Sequence, residues 1–121
     1  MLLGACVGAP RPPVPANASP REVLEAYLRA LQTGDCGTGR TLTVSPFGRG
    51  NGELCDDTRV ASAAIDGDPA TPKADEVVFA TTLVTTGTGD GSVHPGEITW
   101  FFDLRRQQSG AWRLAGGGSG P

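Results

Sequence analysis

The chain is short of the side chains that most chemistry needs. Its 121 residues include one histidine (His94), one tyrosine (Tyr27) and one lysine (Lys73). With His94 as the only base of its kind, no Ser/His/Asp arrangement can be assembled. One histidine and the two cysteines of the globular part cannot supply a closed tetrahedral metal set. The ten basic residues are scattered rather than striped and the net charge is -3. That argues against nucleic acid, whose binding draws on clustered Lys and Arg. No run of eighteen apolar residues occurs, so no helical span is expected. The glycines of residues 45–54 precede neither Gly-Lys-Ser/Thr nor a helix signal, so no phosphate loop and no cofactor is implied.

What is present points to a small α+β domain. The densest apolar run is Glu97–Leu104, where Ile98, Trp100, Phe102 and Leu104 share one strand face. Thr99, Phe101, Asp103 and Arg105 take the other. The first face needs a cover, and one amphipathic helix upstream offers it. Ser19-Pro20-Arg21-Glu22 carries an N-cap, a proline at the first helical position and a capping box. Val23, Leu24, Tyr27, Leu28 and Leu31 then repeat at helical spacing, Glu25 and Arg29 stand four apart, and Gly34 marks the stop.

Residues 35–44 read either as a short second helix capped by Asp35 or as loop, since Gly37 and Gly39 each cost a helix about 1 kcal/mol. Four strand candidates follow: 58–65, 76–86, 97–107 and 111–115. Asp66-Gly67-Asp68-Pro69 reads as a turn with a linker running to Ala74. Residues 116–121 read as a frayed end. Short successive connections predict an antiparallel meander. The organisation expected is a disordered start over 1–18, one domain over 19–116 and a flexible tail over 117–121.

Cys36 and Cys55 lie in the globular part and Cys6 in the tail. In an oxidising compartment Cys36 and Cys55 are a natural pair, and closing a loop of about 20 residues is worth roughly 3 kcal/mol. In a reducing one they are two buried thiols. Leu3-Gly4-Ala5-Cys6 resembles the lipobox of bacterial lipoproteins, and four prolines between residues 10 and 15 follow as a semi-rigid spacer. The resemblance implies lipid on Cys6 and a membrane-anchored, extracytoplasmic or secreted protein. Only five residues precede Cys6, too few for a signal peptide's basic and apolar regions, so the expectation is a true start upstream.

The helix Pro20–Gly34, Gly52-Glu53-Leu54-Cys55, Ala111-Trp112-Arg113-Leu114 and the closing Gly118–Pro121 together resemble the NTF2-like superfamily, in particular small secreted or lipid-anchored domains of actinobacteria. The resemblance implies an NTF2-like or cystatin-like fold, with the helix (and the optional second helix) on a curved four-stranded sheet enclosing a cone. Isomerases, transport factors and structural domains share that fold, and fold does not set function. Enzymes of this kind use a carboxylate base and a neutral donor deep in the cone. Here the polar pair would be Tyr27 with Asp66 or Asp103, and Tyr27 reads better as core. His94 reads as a surface residue.

Three readings of function follow. The first is a non-catalytic domain binding a protein partner or small apolar ligand, with Trp100, Phe101, Asp103 and Tyr27 the residues to watch. The second is an isomerase or hydrolase in the cone, and the third a regulatory ectodomain that forms homodimers. On the first reading Phe101 lies on the outer face of its strand, and its loss leaves stability nearly intact.

Overall fold

The helix forms where its local signals are. In the computed structural model, which describes residues 12–44, 54, 58–87 and 93–119, α1 runs Pro20–Thr33 and α2 Cys36–Arg40. The Glu22 amide donates to Ser19 Oγ at 3.2 Å, and the Ser19 amide donates to Glu22 Oε1 at 2.8 Å. The capping box is therefore closed, with two otherwise orphaned amides satisfied. The alternative left open at residues 35–44 resolves as helix over Cys36–Arg40 only, while Leu42–Val44 lie outside it and Thr43 forms an isolated bridge with Leu114. Asp35 caps the helix by accepting from the Thr38 amide at 3.2 Å and the Thr38 hydroxyl at 2.6 Å.

Four strands follow: β1 (Val60–Lys73), β2 (Glu76–Thr85), β3 (Gly96–Arg106) and β4 (Trp112–Gly118). They form one antiparallel sheet in the order β1-β2-β3-β4, the meander that the short connections predict. Burial alternates without a break along β2, and in register with it along the second half of β3. One face is thus packed and the other open. Val77, Phe79, Leu83, Phe102, Leu104 and Leu114 meet Val23, Leu24, Tyr27, Leu28 and Leu31 in a single core. Trp100 joins them, and Ile98 packs on the margin.

Three boundaries differ from expectation. Asp66–Pro69 does not end a strand. β1 continues to Lys73, and the hairpin falls at Ala74–Asp75. The residues expected to turn are a bulge, between the pairs Asp66↔Ala80 and Ala70↔Val78, with Gly67 at φ 65°. A bulge and a turn need the same left-handed residue, so the dipeptide signal does not separate them. Arg21 fastens the bulge to α1 by donating to the Gly67 carbonyl at 3.1 Å, while its guanidinium lies 5.4 Å from the Phe79 ring centre.

The second difference is at the end of the chain. Gly117, expected in a flexible tail, lies in β4 opposite Phe102. A Cβ on Gly117 would sit 3.0 Å from Trp100 Nε1 and 3.2 Å from the Phe101 carbonyl oxygen. Gly117→Ala is therefore expected to cost about 1–3 kcal/mol through overpacking, read by urea denaturation. A loss-free variant would return Gly117 to the tail.

The third is at the start, where the proline-rich segment contributes to the core. Ala18 is buried and Val14 packs against the core.

Candidate functional site

The open face of the sheet carries the site. β3 presents Thr99, Phe101, Asp103 and Arg105 on the side away from α1, in register with Thr82, Ala80, Val78 and Glu76 of β2. On the other flank Asp103 faces Gly116 and Phe101 faces Gly118. Gly116 and Gly118 leave that flank of the open face without side chains, and the gap is a groove. It has a volume of about 510 Å³ and is lined by Ala70, Val78, Phe101, Asp103, Gly116, Gly117 and Gly118. The lining is apolar except for one carboxyl group. A volume of this size falls within the usual range of small-molecule sites, roughly 300–1,000 Å³.

That carboxyl is Asp103, half-buried in the wall. Its Oδ2 accepts two bonds from Arg105, at 3.1 Å from Nη2 and 3.3 Å from Nε. The same Nη2 reaches Glu76 Oε2 at 3.4 Å, so one guanidinium serves two carboxyl groups. Asp103 Oδ1 is shut off from water and has no hydrogen-bond partner. Burial, and then the neighbouring Glu76 carboxyl, push the Asp103 pKa up, and the Arg105 charge opposes this. The charge on Asp103 in turn holds the Arg105 pKa above its ordinary value.

The sign of the stability effect follows. A folded-state pKa above the unfolded one costs nothing below about pH 4, where both states bind the proton, and costs increasingly as pH rises past that value. Asp103→Asn is neutral throughout. It is expected to match the parent below about pH 4 and to be the more stable of the two at pH 7, the lost Arg105 bond offsetting part of the gain. Denaturation midpoints at pH 3.5 and 7 check this, and a variant that is weaker at pH 7 would contradict it.

Tyr27 is fully buried, edge-on to Phe102 with 5.7 Å between ring centres. Phe102 and Asp103 are neighbours in β3 and point to opposite faces. Tyr27 and Asp103 therefore cannot meet as a catalytic pair. Asp66 is also on the open face, where its Oδ2 accepts from the Thr82 hydroxyl at 2.6 Å. The polar pair of the isomerase reading is not assembled with either partner. Trp100 is 8% exposed and belongs to the core, not to a contact surface. Its Nε1 lies beside Gly117 and has no hydrogen-bond partner. His94 is exposed.

Cys36 is disulfide-bonded, while Cys55 and Cys6 lie outside the described residues. Among the described residues no group of three His, Cys, Asp or Glu side chains is placed to hold a metal. No helix there is long and apolar enough to cross a membrane.

A second cleft, of about 430 Å³, separates the polar face of α1 from β1 and includes Arg21, Glu25, Arg29 and Gln32. Glu25 and Arg29, though spaced for it, form no ion pair. Of the groove itself, Phe101 and Asp103 were identifiable from strand alternation. Ala70, Val78 and the three glycines were not, because only cross-strand register brings them together. Comparisons of the chain with protein-family models, curated proteins and solved structures find no match.

Proposed function

We propose that this chain is a non-catalytic, extracytoplasmic domain of NTF2-like type, held at the membrane by lipid on Cys6. It binds a small apolar ligand, or an apolar segment of a protein partner, in the groove over Phe101. The observation that carries the reading is the groove: an apolar concavity on the sheet face that the helix leaves open. A helix laid on a four-stranded meander is consistent with the superfamily, and a disulfide at Cys36 suits an oxidising compartment. The separation of Tyr27 from Asp66 and Asp103 weighs against the isomerase reading.

Phe101→Ser tests the groove. Phe101 is half-buried at the floor, so the variant is expected to lose about 1 kcal/mol or less in urea denaturation and to lose binding of a neutral apolar dye such as Nile red. A loss of several kcal/mol would make Phe101 a core residue, and undiminished dye binding would move the site elsewhere. Sedimentation at micromolar concentration separates this reading from self-association, since a dimer formed through the open face would cover the groove. For the anchor, the chain is placed behind a lipoprotein leader in a bacterial host fed an alkyne-bearing fatty acid. Label that disappears in Cys6→Ala supports the lipid, and a parent chain without label removes it.

A further inference from the structure

We propose that the Gly116–Gly118 end of β4 is a latch, which leaves β3 and returns while the rest of the domain stays folded, and that the groove therefore has one movable wall. The use of that movement rests on the reading of the groove as a binding site; the movement itself is argued from the strand. β4 is the last strand of the sheet, and Gly116, Gly117 and Gly118 pair with Asp103, Phe102 and Phe101 on one side. Among the described residues nothing bonds their other side. They have no side chains to anchor them, and glycine regains more backbone freedom on release than any other residue. The Trp100 indole Nε1 lies beside Gly117, shut off from water and without an acceptor. A buried donor with no partner is costly, and moving the strand aside returns this one to water.

The strand is pinned just before the latch. Leu114 is fully buried and pairs with Leu104 of β3. On its other side its amide donates to the Leu42 carbonyl at 2.8 Å, and its carbonyl accepts from the Val44 amide at 2.9 Å. Between Leu114 and Gly116 the register with β3 shifts, so the ladder is already interrupted where a release has to stop. What opposes opening is the pairing of three residues and the cover that Gly117 gives the core: a Cβ there would come within 3.3 Å of the Phe102 ring. Releasing three residues undoes little of the sheet, so it costs far less than unfolding. Open, the latch removes the glycine flank of the groove and bares the edge of β3 from Phe101 to Asp103.

The test is hydrogen exchange of the isotope-labelled full chain, followed by NMR at rising urea below the unfolding transition. The Trp100 indole N–H and the most protected amide of Gly116–Gly118 are expected to report one common opening. Their protection should be roughly a hundredfold or more below that of the Thr81 and Leu83 amides, which lie in β2 with a strand on either side. The common opening should change little with urea, since few residues are released, while the β2 amides follow the full urea dependence of unfolding. Protection of the indole and the glycine at the level of β2 overturns the latch. So does an indole that exchanges without the glycine, which would be a motion of the ring alone. Nile red then separates the latch from its use. Dye seated against Gly116–Gly118 is expected to slow both exchange rates, and dye that binds and leaves them unchanged overturns the movable wall. A chain that binds no dye yet shows the common opening keeps the latch and removes the groove as a site.

Discussion

Phe102→Ala is expected to remove about 3–5 kcal/mol, a large share of the roughly 5–15 kcal/mol by which a domain of this size is stable. Phe102 is fully buried, faces Phe79 across β2–β3, meets Tyr27 edge-on and lies opposite Gly117. None of those neighbours can fill the space: the ring of Tyr27 is itself enclosed, and Gly117 has no side chain. The cavity would persist, which puts the cost toward the upper end. Urea denaturation of Phe102→Ala and Phe101→Ser makes the sharper comparison, because the two residues are adjacent and differ only in the face they occupy. Similar losses for both would mean that the open face is not open.

Reduction of the Cys36 disulfide is expected to lower stability by about 3 kcal/mol, whichever cysteine is the partner. Cys55 would close a loop of about 20 residues and Cys6 one of about 30, and the dependence on length is only logarithmic. In a thermal melt this is a drop of roughly 10–20 °C on adding reductant, and Cys36→Ser should reproduce it. A melt insensitive to reductant would show that the bond does not constrain the unfolded chain. Peptide mass mapping without reduction names the partner, and the result reaches beyond stability. A bridge to Cys55 leaves Cys6 free to be acylated, whereas a bridge to Cys6 ends the proposal of a lipid there.

How much of this was legible from the residues differs by element, for physical reasons. The first helix was readable almost to its ends, because Ser19, Pro20, Glu22 and Gly34 act within one turn of themselves and need no tertiary partner. The inward face of β3 was equally plain, since large side chains at period two have one way to be buried. β1 was not. Its alanines and aspartates have little strand preference of their own, and its state comes from pairing with β2 across a bulge that reads locally as a turn. β4 was lost at Gly116 for a similar reason. Glycine is a poor strand former, and what holds Gly117 and Gly118 in place is Phe102 and Phe101 on the neighbouring strand. The groove therefore lay hidden: it is made of missing side chains, brought opposite Asp103 by register alone.

The bulge in β1 also bears on how this molecule behaves in a crowd. β1 is an edge strand of fourteen residues, mostly exposed, with one neighbour in the sheet. A regular edge of that length is a template on which another chain can add, the first step toward a fibre. At its middle, Gly67 breaks the extended path at φ 65° and Pro69 offers no amide to an incoming strand. The Gly67 carbonyl is already held by Arg21. Each half of the edge that remains is short. The irregularity that disguised β1 as a turn also leaves no long regular edge for a second copy to pair along.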